Sequence, residues 1–190
     1  MNDRLAHTSV PIHPPLAARW SPRAFDANAV LSQDDLTAVL EAARWAATWG
    51  RRQPVRYAAG RRGDDTFNAL AGLLKRGNSY AHVAGALILV SVDEGEDANT
   101  ATYAALDAGA AIANLSVEAV ARGLVVHPMA GFDTDGAAQL APGLRPLAIV
   151  AVGSLGDYAD ADPSIVERDH QPRERLPLEQ IVIPLASGPR

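Results

Sequence analysis

The segment from Ala98 to Arg122 is alanine-rich, apolar on nearly every side and closed by Gly123, which reads as one long helix without a broad polar face. Such a helix has to be covered around most of its circumference. Asp107, Asn114, Glu118 and Arg122 would be costly in lipid, so the expected cover is protein and not membrane. Small residues all round suit close packing on several neighbours at once, a second subunit among them. The run Ala86 to Val92 makes a related demand: a continuous apolar stretch is the pattern of a strand covered on both faces, central in its sheet. Both elements need a core around them. With 190 residues, 48% of them apolar, one domain over 1–190 is expected to supply it, with 1–12 as a flexible start and 184–190 as a tail.

The net charge of −5 argues against a nucleic-acid binder, since a phosphate partner selects a basic surface. Cysteine is absent, which removes disulfides, thiolate nucleophiles and thiolate metal sites. The first twenty residues have neither a basic start nor an apolar block, so no secretory signal is expected and the expected location is the cytoplasm. The five histidines have no metal-ligand spacing, and no metal is expected. Asp107 and Glu118 sit roughly 16 Å apart along one helix. They are no catalytic carboxylate pair, and Asp107 reads as a buried, hydrogen-bonded helix residue.

The remaining elements follow from punctuation and period. Pro14 and Pro15 open a short helix through Ala18. Ser32 with Asp35 forms a variant capping box before a helix reaching about Thr48, ended by Trp49 and Gly50. Val55 to Ala59 reads as a strand, Asp64 to Leu74 as a helix broken by Gly77-Asn78, and Leu124 to Val126 as a brief strand. Pro128 to Phe132 reads as a tight turn, Asp135 to Leu140 as a short helix, and Pro146 to Val152 as another covered strand. A connector from Asp157 to Arg175, too long for a hairpin, leads to a last strand at Leu178 to Ile183.

Three distant stretches, Arg19-Trp-Ser-Pro-Arg23, Thr48-Trp-Gly-Arg-Arg-Gln-Pro54 and Arg173-Glu-Arg-Leu-Pro177, each place guanidinium groups beside hydroxyl or amide donors. That is the chemistry which holds a phosphate or an electron-rich ring by charge-assisted hydrogen bonds. They point to an anionic cofactor. A Gly-x-Gly-x-x-Gly turn after a strand is missing, so a pyridine nucleotide would dock only transiently.

The order of Arg19-Trp-Ser-Pro-Arg-Ala-Phe25, Leu40-Glu-Ala-Ala-Arg-Trp-Ala46 leading to Gln53-Pro54, Asp107-Ala-Gly-Ala-Ala111 with Asn114-Leu115, Pro128-Met-Ala-Gly-Phe-Asp133 and Arg173-Glu-Arg-Leu-Pro177 resembles the nitroreductase family, from about His13 to Ile183. The resemblance implies an α+β fold with a central, mostly antiparallel sheet flanked by helices. It implies a homodimer with FMN sites at the subunit interface, NAD(P)H as transient electron donor, and a small electrophile such as a nitroaromatic, quinone or enone as acceptor. It places Arg19 and Ser21 on the FMN phosphate, Trp20 beside it mainly through its backbone, and Arg23 near the flavin N1/O2 edge, where a positive charge stabilises the reduced ring. Arg173 and Arg175 match a pair that clamps the phosphate. Pro128, Met129, Ala130 and Gly131 match a loop over the flavin in which the Ala130 N–H meets N5 and Gly131 permits close approach. Asn78 matches an asparagine near the pyrimidine edge, or else caps a helix.

The chain departs from the family between the first long helix and the first strand, a segment that the resemblance places against the partner's flavin. Ala47 stands for the usual proline, Thr48 for serine, Arg51 for asparagine and Val55 for tryptophan, while Gln53-Pro54 is kept. By the resemblance Arg51 adds positive charge beside the ring; Arg52 either adds another at the mouth of the pocket or, the preferred reading, is a surface charge. The departure puts substrate preference in question more than flavin binding, and leaves an FMN-storing protein with little turnover as the alternative.

Overall fold

The computed structural model describes residues 4–185, so residues 1–3 and 186–190 of the expected loose ends lie outside the described residues. Four antiparallel strands form one sheet in the order β1-β2-β4-β3: β1 is Val55–Arg61, β2 Ala86–Val92, β3 Val125–Met129 and β4 Arg145–Gly153. The expected bounds of β2 match, and it lies inside the sheet with every residue buried. Alternate β2 side chains serve two cores. Ile88 and Val90 face a cluster with Val39, Ala108 and Leu115, whereas Leu87 and Leu89 face one with Phe67, Leu70 and Phe132. Each fully buried Leu or Ile contributes about 1.5–3 kcal/mol, so the continuous apolar run is what a two-sided sheet requires.

The first cluster is built by α2, Gln33–Arg44, and α4, Ala98–Ala121. In α4, Ala104, Ala108, Ala111, Leu115 and Ala119 recur at helical spacing and are buried. The helix is long and apolar enough to cross a membrane by length and composition, and this buried stripe packs on α2 and the sheet. Gly123, at φ +75°, ends it in the left-handed conformation that glycine adopts without strain. The opposite face carries α3, Asp65–Gly72, and α5, Thr134–Leu140. Near the start, α1 spans Pro14–Ala18, with proline in its first turn as expected.

Several boundaries differ from expectation. Helix α2 is capped by Ser32, whose Oγ accepts from the Asp35 N–H at 3.0 Å, but it stops at Arg44 and not near Thr48. Beyond it the Trp49 N–H is captured by Asp107, 3.0 and 3.1 Å from the two carboxylate oxygens, and the Trp49 ring stacks on Tyr103 at 4.6 Å. Asp107 is buried and hydrogen-bonded, as read from the sequence. Helix α3 ends at Gly72 because the Asp133 N–H donates to Leu73 O and the Lys75 N–H to Gly131 O, which draws the chain into an isolated bridge between Leu74 and Phe132. Gly77-Asn78 then falls inside a 3₁₀ helix, Arg76–Val83.

Strand β3 runs on through Pro128 and Met129, shortening the expected Pro128–Phe132 turn to the residues after Met129. Pro128 is tolerated because β3 is an edge strand. The connector from Asp157 holds a 3₁₀ turn, Tyr158–Asp160, and α6, Pro163–Asp169, whose N-cap Asp162 accepts from the Ser164 N–H. The Leu178–Ile183 strand is not formed. Leu178–Ile181 is a single turn of helix, α7, with exposed side chains, since among the described residues the segment pairs with no sheet edge.

Candidate flavin site

Arg19, Trp20, Ser21, Arg23, Arg173 and Arg175 line one cavity of about 420 Å³, joined by Arg4, Arg168 and Asp169. Arg19 Nη1 donates to Ser21 Oγ at 3.2 Å, so the two groups read as phosphate ligands point to the same place. Arg173 is committed to backbone: it donates to the carbonyls of Ala17 at 3.3 Å and Arg19 at 2.7 Å, and to that of Arg4. It therefore braces the N-terminal segment against the Arg19 loop. Arg175 is exposed and donates to Glu174 O.

The electrostatics of this cavity suit an anion. Burial and then the charge of Arg175 push the Arg19 guanidinium below its usual pKa, and Arg173 is pushed down by burial and then by Arg19, Arg175 and Arg4. Like charges crowded in a half-buried cavity repel one another, and a dianion placed among them relieves that repulsion. The Nε atoms of Arg4 and Arg23 are buried and have no hydrogen-bond partner among the described residues. Arg4 also lies over the Trp20 ring, 4.5 Å from its centre, and both residues line the cavity.

Arg23 is held by Asp169, a residue that sequence reasoning missed. The carboxylate, with no exposed side-chain area, accepts from Arg23 Nη1 at 2.8 Å, from the Arg23 N–H at 2.6 Å and from the Tyr158 hydroxyl at 2.8 Å. Arg4 donates to the Asp169 carbonyl. Nothing local marks Asp169, because its main partner is 146 residues away. The Asp162-Pro163-Ser164 signature could have revealed the helix that delivers it.

Asn78 and the Gly131 loop meet directly: Asn78 Nδ2 donates to Gly131 O at 2.9 Å. A side chain on residue 131 would come within 2.7 Å of that amide, so here glycine makes room for Asn78. Ala130 is exposed beside it, and Met129 is buried in the core. Thr48 and Gln53 line a different cavity of about 500 Å³, with Asp107, Ala111, Leu40 and Tyr57, and the two cavities share no lining residue. Ala47 and Arg51 are exposed and line neither. Arg52 pairs with Asp93 at 3.5 Å at the surface. Among the described residues no cluster of histidine and carboxylate could hold a metal ion.

The chain is similar to known proteins over most of its length. An uncharacterized 15.4 kDa protein from the ask 5′ region of Mycolicibacterium smegmatis is 62% identical over 137 residues, which cover 67% of this chain and 93% of that protein. A crystal structure of an oxidoreductase containing FMN superposes with a TM-score of 0.84 at 29% identity, covering 93% of each chain. The fold is shared with a protein assigned as a nitroreductase, in complex with FMN, from Exiguobacterium sibiricum, at a TM-score of 0.75 and 20% identity over 93% of this chain and 98% of the other. The nitroreductase family model matches residues 16–156, from α1 through the end of the sheet, and the chain belongs to the nitroreductase family.

Proposed function

We propose that the protein is an FMN-dependent oxidoreductase that works as a homodimer in the cytoplasm. The observation that carries this reading is the arginine-lined cavity, where Arg19, Ser21, Arg173 and Arg175 converge from the two ends of the chain. FMN, when bound, supplies hydride exchange between a reduced nicotinamide nucleotide and a small electrophile such as a nitroaromatic, quinone or enone.

In this reading the residues bind, orient and polarise. Arg19, Ser21 and Arg175 hold the phosphate, Arg173 keeps the Arg19 loop in place, and Trp20 closes the wall. Arg23, fixed by Asp169, presents positive charge toward the pyrimidine edge, and the carboxylate behind it moderates that charge. Asn78 sets the Gly131 carbonyl, and through it the Ala130 N–H that is assigned to the ring. Thr48, Arg51 and Gln53, with Ala47 beside them, are assigned to the partner's flavin. Their separation from the arginine cavity supports a site completed by two subunits. The exposed Trp45, Trp49, Tyr103 and Leu106 supply apolar surface for that contact.

Purification tests the reading: a yellow dimer with one FMN per chain, bleached anaerobically by NADPH or NADH, is the expected result. A flavin-loaded monomer by light scattering contradicts the shared site. A dimer with bound FMN that neither nucleotide reduces favours flavin storage.

A further inference from the structure

His127 is buried at the end of the Arg19–Arg23 segment and is not used by the reading above. Its Nδ1 lies 2.9 Å from Pro22 O, which can only accept, so Nδ1 carries a hydrogen. Its Nε2 lies 3.1 Å from the Tyr80 hydroxyl, which lies 3.2 Å from Asn78 Oδ1. Asn78 in turn donates to Gly131 O. A continuous chain thus joins the backbone before Arg23 to the loop that carries Ala130.

The hydrogens in this chain do not balance when the imidazole is neutral. The Tyr80 hydroxyl then has one hydrogen and two acceptors, His127 Nε2 and Asn78 Oδ1. Imidazolium resolves the conflict: Nε2–H donates to Tyr80, the Tyr80 hydrogen goes to Asn78, and Asn78 donates to Gly131. We propose that His127 is a positioning residue which, through Tyr80 and Asn78, fixes the Ala130–Gly131 loop relative to the arginine-lined cavity, and that its protonated form completes the link. The proposal rests on the reading of that cavity as an FMN site.

The charged groups around His127 give the link a reason to respond to ligand. Burial, and then the positive charges of Arg23 and Arg168, oppose the imidazolium, while Pro22 O and Asp169 favour it. Tyr80 itself is held up to about 12, mainly by burial, so it stays a hydroxyl throughout. An anion seated on the arginines weakens the opposing charge and favours proton uptake at His127.

The test is FMN affinity, read by flavin fluorescence, for wild type and Tyr80→Phe at pH 5.5 and pH 8. Titration of the FMN phosphate is common to both proteins and cancels in their ratio. Tyr80→Phe should weaken binding about threefold to tenfold at pH 5.5, the range for the neutral Tyr80–Asn78 hydrogen bond that it removes, and by clearly less at pH 8. A ratio near one, or one that does not change with pH, overturns the positioning role while leaving the flavin site intact. Wild type that binds no FMN at either pH overturns both. If Tyr80→Phe does not fold, histidine NMR of the wild-type protein decides: the His127 titration should move to higher pH on adding FMN, and an unmoved titration refutes the proposal.

Discussion

Asp169 grips Arg23 at two points, its backbone N–H at 2.6 Å and its Nη1 at 2.8 Å, and so ties α6 to the loop after α1. The Tyr158 hydroxyl completes the carboxylate's set at 2.8 Å. One buried acid therefore fixes the main chain and the charge of the same arginine. The C-terminal connector is an integral wall of the cavity through this contact.

Removing that acid should be expensive. Asp169→Ala leaves the partly buried Arg23 guanidinium without its counter-charge, a change of the kind that costs about 3–5 kcal/mol. Asp169→Asn, which keeps an acceptor, should lose less. Urea denaturation of the flavin-free proteins measures both, and a loss under 1 kcal/mol for alanine, about the value of a surface pair, would show the contact to be dispensable.

The arginines of the cavity should separate by role. Arg19→Ala removes charge-assisted hydrogen bonds worth about 1.5–3 kcal/mol each, so FMN should bind at least about tenfold more weakly with little change in flavin-free stability. Arg173→Ala should lower stability as well, because its guanidinium braces the Ala17 and Arg19 carbonyls. Arg175→Ala should affect FMN alone, and less than Arg19→Ala, since Arg175 is exposed. Titration calorimetry beside thermal melting tests the order, and equal melting losses for Arg173→Ala and Arg175→Ala would remove the distinction.

What could be read from the chain beforehand was whatever local pattern decides. The run Ala86–Val92 needs cover on both faces wherever it sits, and Ala98 to Gly123 carries its own cap and stop. The convergence of Arg19, Ser21, Arg173 and Arg175 came from the order of motifs. Contacts made between distant segments left no local mark: Asp169 reaches Arg23 across 146 residues, and Tyr80 reaches His127 across 47. Nor does local pattern mark the end of α2 short of Thr48, where Asp107, on another helix, takes the Trp49 N–H. Leu178–Ile183 reads as a strand by composition, but a strand needs an edge to pair with, and among the described residues it meets none, so Leu178–Ile181 forms one turn of helix instead.

Stability should fall on mild acidification through His127. Its folded pKa is depressed below 6.5, chiefly by burial, so between that value and the lower folded one the unfolded chain binds more protons. The contribution is full above pH 6.5 and is lost as pH falls through the folded pKa. In the flavin-free protein, His127→Gln should flatten the decline in melting temperature just below pH 6.5. Parallel melting curves for the two proteins would count against it.

The last expectation concerns Arg51, the residue whose charge the sequence resemblance would place nearest the substrate. Among the described residues, Arg52 is paired with Asp93 at 3.5 Å, whereas Arg51 is exposed and forms no ion pair, which leaves its charge available to a ligand. If the segment faces the partner's flavin, Arg51 should favour a nucleotide carrying a 2′-phosphate. One exposed pair contributes about 0.2–1 kcal/mol, so the preference for NADPH over NADH should be only several-fold and should shrink with added salt. Arg51→Asn, which introduces the amide expected here from the sequence resemblance, should reduce the ratio of kcat/KM for the two nucleotides while FMN affinity stays as in wild type. An unchanged ratio would mean that the charge at Arg51 does not read the nucleotide, and a parallel loss of FMN would mean that it serves the flavin.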